Sequence, residues 1–404
     1  MKSDDAVRGK VVAAEAMVRA CLGRNAVWAA PDRYPWQGWT RDFGMAILAV
    51  LISLGLWDHA KRHLMSLVAR QGKDGSIPIL FLDGAYGHLH FLVSKTWRSL
   101  RSGKPSFMLR RYLETGGDLG RLTPGTTDSE MHFIIAAQEF LRSAAANTCG
   151  PWEAAQLTRA SVVAMRYVRA NLLDGRGRHV GADWRDTMEV CLRRTPLLSN
   201  NALLVHAYDL LGMAPEAAAL RSTIRLTYWR EGEAVPAVAR RWRADGAPAR
   251  LLLDWPGCEE EQPFDPLGAS LAILYGVVDD ADLASMLPWF QAVDSPTGVT
   301  IQCRHNPIDA AEARVIDRTR GIVTWPFVVG FTVLAAEAAA RRSGASLALQ
   351  WRAFVAEQFR KLIALDGLAE WYDPTTGEPH GAPRQLWSAT LTLRALDATR
   401  RRSL

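Results

Sequence analysis

The chain has 404 residues, of which 49% are hydrophobic and 22% charged, and its formal net charge is +6. That balance excludes a disordered chain, and no apolar run is long enough to span a membrane. The basic residues are spread along the chain rather than gathered on one element, so no nucleic-acid surface is expected. The five scattered cysteines contain no CxxC pair, so neither a disulfide framework nor a zinc knuckle organises the fold.

The start, Met1-Lys2-Ser3-Asp4-Asp5, is acidic and lacks an apolar segment, so no secretory signal is expected and a reducing cytoplasm fits. Residues 8–22 place Val11, Val12, Ala14, Met17, Val18 and Cys21 at helical spacing. Further helices are expected near 43–55, 58–70, 87–100, 129–145 and 153–173. More follow near 200–211, 215–228, 266–277, 281–292, 326–343, 346–365 and 385–400. Strand signals are weak, and candidate short strands include Ile77-Pro78-Ile79-Leu80 and Val299-Thr300-Ile301.

No linker or composition shift divides the chain, so residues 1–404 are read as one all-α domain. About twelve helices make six hairpins of about 60 to 70 residues each, without a repeated consensus. That arithmetic predicts an (α/α)6 toroid, with six inner helices wrapped by six outer ones. Residues at the inner-helix ends would then surround a funnel.

Fifteen tryptophans exceed what a core needs and suit a site that stacks against sugar rings. Four segments concentrate acid, Arg and Trp at helix boundaries: Tyr34 to Phe43, Gly120 to Glu130, Gly181 to Thr187, and Ala369 to Pro374 followed by Gln385-Leu386-Trp387-Ser388. Taken singly, Asp42, Asp128 and Asp186 suit helix N-caps or first-turn acids, and Glu370 suits a loop. Their recurrence beside Trp, Arg or Gly points to glycosidic hydrolysis. There one carboxylic acid protonates the leaving oxygen and a carboxylate opposite activates water or attacks the anomeric carbon. Aromatic walls bind the sugar face, exclude water and raise the acid's pKa.

These segments resemble the (α/α)6-barrel glycosidases: the glucosidase domain of glycogen debranching enzymes, the alkaline/neutral invertases, and the mannosylglycerate/glucosylglycerate hydrolases. Trp39-Thr40-Arg41-Asp42-Phe43 is similar to the WxRD that opens these barrels, and Gly120-Arg121 through Asp128-Ser129 to GR-x-P-x-DS. Asp183-Trp184-Arg185-Asp186, Thr195-Pro196 and Asn200-Asn201-Ala202-Leu203 resemble TWMD…TPR…EINALWY. Phe264-Asp265 with Leu267-Gly268 resembles the invertase F-x-LGN segment, and Gly321 to Trp325-Pro326 the G-x-x-WP signature. Glu370-Trp371-Tyr372-Asp373 and Gln385-Leu386-Trp387-Ser388 resemble PEYYDG…Q-x-WS. The landmarks run in family order from about residue 35 to 396.

The resemblance implies an inverting glycoside hydrolase. Asp186 is implied as general acid, with Asp183 its rival, and Glu370 as general base, their carboxyls about 6.5–9.5 Å apart. Arg41 and Asp42 are expected on sugar hydroxyls. Trp36, Trp39, Trp184, Trp325 and Trp387 are expected as walls, with Asp128, Gln385, Arg185, Asn201, Asp265 and Tyr372 as further contacts. Thr319-Arg320-Gly321 stands where invertases carry HNGG, which points away from sucrose, and a barrel pattern beginning near residue 8 favours a small α-glycoside over branched glucan. The expected partner is therefore a small saccharide or glycoside, with neither nucleic acid nor membrane. No cofactor or metal is expected: Gly116-Gly117-Asp118-Leu119-Gly120 lacks the Lys-Ser/Thr of a P-loop, and His88 and His90 fall on different faces of a helix. A non-catalytic sugar-binding toroid and a sugar epimerase are the rival expectations.

Overall fold

Runs rich in Ala, Leu and Arg favour helix, and they fold as helices where the periodicity places them. The computed structural model describes residues 2–103, 107–115, 127–185, 194–241, 250–258, 262–303 and 310–400. Its principal helices are α1 (Lys2–Ala20), α2 (Leu48–Ser53), α3 (Trp57–Val68), α4 (Ser129–Arg142), α5 (Pro151–Asn171) and α6 (Leu198–Leu210). They continue with α7 (Ala214–Thr227), α8 (Pro266–Leu274), α9 (Leu283–Ala292), α10 (Pro326–Arg342), α11 (Ala345–Ala364) and α12 (Leu386–Arg400). Three of them open on proline, where the missing N–H has no intrahelical partner to lose: Pro151, Pro266 and Pro326.

A further long helix, Gly84–Ser102, lies close to the expected 87–100. Phe107–Glu114, Ala237–Arg241 and Ala310–Thr319 are helical without having been expected. The expected strand at 77–80 is displaced to Leu80–Leu82, which pairs antiparallel with Gln37–Trp39. Pro78 has no N–H to give a ladder, and the Ile77 N–H donates to Glu130 instead. The expected strand at 299–301 divides in two: Gly298–Val299 pairs with Asp294–Ser295, and Ile301–Gln302 with Ile322–Val323.

The helices close on themselves. The π-turn Phe43–Ile47 that leads into α2 packs on α4, α4 on α6, α6 on α8, α8 on α10, α10 on α12, and α12 back on the π-turn and α2. Outside this cycle α1 lies on α12, α3 on α2 and α4, α5 on α4, α7 on α6 and α11 on α10. Helices of the cycle such as α10 are apolar nearly all round, which suits elements walled in by neighbours, whereas α3 is amphipathic. Close approach needs a small residue where α10 meets α12: a Cβ on Gly330 would stand 2.6 Å from the Leu391 Cβ. The seam between the two ends of the chain is tied by polar bonds. Lys10 Nζ donates to the Leu365 and Gly367 carbonyls at 2.5 and 2.6 Å, and the Leu386 N–H to the Ala29 carbonyl at 2.9 Å.

No helix among the described residues is long and apolar enough to cross a membrane. Cys21, Cys258 and Cys303 are buried and Cys149 is half-buried, while Cys191 lies outside the described residues.

Candidate active site

The site residues sit at the starts of the helices that form the cycle. The strand Gln37–Trp39 runs into the turn Thr40–Asp42, which the loop before Leu80 holds in place: the Thr40 N–H donates to the Ile79 carbonyl and its hydroxyl to that of Pro78. Arg41 grips Asp128 with two bonds, Nε to Oδ2 at 2.7 Å and Nη2 to Oδ1 at 3.3 Å, both side chains almost wholly buried. Asp128 therefore joins the start of α4 to the start of α2 rather than capping its own helix. His132, one turn on, lies 3.7 Å from Asp128, and burial with the Arg41 charge pushes its pKa down to about 3, so the ring is neutral. Asp42 is buried, and burial pushes its pKa up to about 7. The charges of Glu370 and Asp128 add to that rise and Arg41 opposes it.

Glu370 opens the short hairpin Trp371–Tyr372 with Pro379–His380. Its carboxylate accepts the Ala382 N–H at 2.7 Å and Arg33 Nη1 at 3.2 Å. Burial raises its pKa above the ordinary range, the Arg33 charge works against that rise, and Glu312 adds to it. Gly381 makes this packing possible. Its φ is +76°, and a Cβ there would lie 2.6 Å from both the Cβ and Oε2 of Glu370. The Gly381 N–H in turn donates to Glu312 Oε1 at 2.9 Å. Tyr34 completes this corner: burial and the charges of Glu370, Asp42 and Glu312 all keep its hydroxyl protonated.

Arg185 is the hub of a second buried cluster. Its guanidinium donates to Asp183 through Nε at 3.0 Å and Nη2 at 2.9 Å, and to Asp254 through Nη1 at 2.7 Å. Asp265 lies 3.7 Å away. Asp183 also accepts the Arg185 N–H and the Ser199 hydroxyl, the latter at 2.6 Å. Burial works against the Asp183 charge, but Arg185 and Ser199 outweigh it and hold Asp183 below the usual carboxylate range. A carboxylate held this firmly ionised is a poor proton donor. Burial drives Asp265 the other way, above the usual range, against the pull of Arg185. Its Oδ1 accepts the Leu267 N–H at 2.8 Å, so Asp265, expected as a substrate contact, is also the N-cap of α8.

Trp184, between Asp183 and Arg185 in the chain, belongs to an aromatic group. Trp184 meets Trp325, Phe327 and Trp387 edge-on at 5.1, 5.0 and 6.3 Å between ring centres, and Phe327 stacks on Trp387 at 4.2 Å. The indole N–H groups of Trp184 and Trp387 and Oε1 of Gln385 are buried without a hydrogen-bond partner among the described residues. Buried polar atoms rarely stay unpaired, so these three are natural contacts for a polar ligand. Trp39 bonds Gln37 through its indole N–H. Trp36 holds a left-handed backbone, φ +63°, wedged between Trp28 and Tyr86 at 4.4 and 4.9 Å.

Two residues expected on the substrate are bonded into the scaffold. Asn201 directs its amide to the His179 and Leu197 carbonyls and accepts the His179 N–H. The Tyr372 hydroxyl bonds to the Asp366 carbonyl and the Ala369 N–H. Asp186, the implied general acid, lies outside the described residues. Arg33, Asp254, Glu312 and Gly381 escaped the sequence reading. Asp254 alone left a signal, an acid ending the apolar run Leu251-Leu252-Leu253.

No protein-family model and no curated protein matches the chain. Among solved structures, a glycosidase aligns with 98% of this chain and 97% of its own at 16% identity, TM-score 0.58. The GH63 mannosylglycerate hydrolase from Thermus thermophilus, in complex with glucose, aligns with 94% and 98% at 13% identity, TM-score 0.58. The chain has the fold of these glycosidases. An uncharacterised conserved protein from the same organism shares it, over 95% of this chain and 99% of its own at 13% identity, TM-score 0.59.

Proposed function

We propose that the closed cycle of helices is a single (α/α)6 toroid and that the chain is a glycoside hydrolase, cleaving a small α-glycoside with inversion. The observation that carries this reading is Glu370, a largely buried carboxylate held from two sides by Arg33 and the Ala382 N–H in a corner shared with Asp42. The glycosidase fold supports the same reading.

In this mechanism Glu370 accepts a proton from a water as that water's oxygen attacks the anomeric carbon. Arg33 favours the ionised form the base requires. The bond to the leaving oxygen breaks on the opposite side, and Asp186 supplies that oxygen's proton. Asp183 is held ionised by Arg185, which supports Asp186 over Asp183 in the acid role. Asp42 and Arg41 face sugar hydroxyls, and Trp184, Trp325 and Trp387 shield the reacting carbon from bulk water. A reducing, cytoplasmic setting is part of the same proposal, supported by five scattered cysteines with no CxxC pair.

The test is a hydrolysis panel of sucrose, trehalose, maltose, isomaltose, glucosylglycerate, mannosylglycerate and aryl α-glycosides, followed by NMR. The first product should be the β-anomer of the released sugar. Glu370→Gln should lower kcat by about 10²- to 10⁴-fold while far-UV circular dichroism stays unchanged. Initial release of the α-anomer, or unimpaired turnover by the variant, overturns the mechanism.

A further inference from the structure

The helix Gly84–Ser102 has a crest that no core explains. It rests on the rest of the protein through Gly87 and Phe91, while Tyr86, Leu89, Val93, Trp97 and Leu100 are each 58 to 73% exposed. At 100° per residue these five fall within one narrow stripe. Fully formed apolar stripes of this kind are rare on the free surface of a monomer and mark contact surfaces.

We propose that this stripe is where two copies of the chain associate, their Gly84–Ser102 helices packed antiparallel about a two-fold axis at Val93. The sequence spacing carries the choice of partner. The steps along the stripe are three, four, four and three residues, which read the same in both directions from Val93. A two-fold contact demands such self-complementarity, because residue i must meet j where j meets i. Here Val93 meets Val93, Leu89 meets Trp97 and Tyr86 meets Leu100, so every pair is apolar and the bulkiest residue is set against a smaller one. The area fits as well. The exposed fractions correspond to roughly 600 to 700 Å² per copy, most of the about 800 Å² per partner in a stable interface. The basic residues Lys95 and Arg101 lie off the stripe, and antiparallel packing sets them against positions 91 and 85 rather than against each other. Tyr86 also packs on Trp36, so the contact adjoins the rim of the candidate site.

Sedimentation velocity and light scattering on the full chain test this. The wild type should run as a dimer, and Val93→Asp, which sets two carboxylates face to face on the axis, should run as a monomer with unchanged circular dichroism. Val93→Cys should give a covalent dimer on mild oxidation, while Val12→Cys, equally exposed on α1, should not. A wild type that stays monomeric up to the highest soluble concentration overturns the proposal, whether or not it binds anionic vesicles. So does a dimer that survives Val93→Asp and is not trapped by Val93→Cys.

Discussion

A general base must be ionised when its substrate arrives, and burial opposes that at Glu370. Arg33 is the residue that restores the balance, through a single 3.2 Å contact. Arg33→Ala should therefore move the acidic limb of the kcat/KM profile to higher pH, and Arg33→Lys should return it most of the way. A limb that does not move would remove Arg33 from the mechanism. Asp42 gives a prediction about stability. Its pKa is about 7 in the folded chain, against about 4 for an ordinary aspartate, so folding takes up a proton between those values. Stability attributable to Asp42 thus falls as pH rises from about 4 to 7. Asp42→Asn should raise the Tm near pH 8 and make little difference near pH 4, which thermal melts across pH would show. Asp42 and Glu370 draw notice in the sequence because a tryptophan lies within three residues of each, at a helix or hairpin boundary. Arg33 and Glu312 do not: one looks like half of a loop Asp-Arg pair, the other like a surface acid in an Ala-rich helix, and only tertiary contact gives them a role.

At the level of elements, buried ion pairs tie the starts of several helices of the cycle together. Arg41 with Asp128 ties α2 to α4, and Arg185 links the segment before α6 to Asp254 and to the cap of α8. Buried pairs of this kind add little net stability when complete but cost a great deal when halved. Arg185→Ala strands three buried carboxylates and should lower stability by about 3–5 kcal/mol, read from the urea midpoint. A loss below about 1 kcal/mol would mean that water reaches the cluster. Helix positions could be read from the sequence because long apolar periods and prolines at first turns mark them locally. The strands could not, since a two- or three-residue strand is defined by a partner far along the chain, as Leu80–Leu82 is by Gln37–Trp39.

For the whole molecule, the helix count anticipated six hairpins closed into a toroid, but no motif marks which contacts join the last to the first. Those are the contacts of α12 with both α1 and α2. A ring differs from an open stack in how it tolerates loss. A solenoid deprived of its last repeat keeps its other interfaces, whereas a ring loses two at once. A chain ending before Leu386 should therefore show no cooperative thermal transition and should bind a hydrophobic dye, instead of melting as a slightly smaller domain.

The same seam has a consequence for synthesis. Lys10 finds its acceptors at Leu365 and Gly367, and Ala29 its donor at Leu386, contacts spanning more than 350 residues. On the ribosome the first hairpin must wait for nearly the entire chain before its apolar flank is covered. At about 5–20 residues per second that interval lasts tens of seconds. A nascent chain exposed for so long is a natural client for a holding chaperone, and slowing translation should lower the soluble yield of this protein more than that of an open helical repeat of equal length.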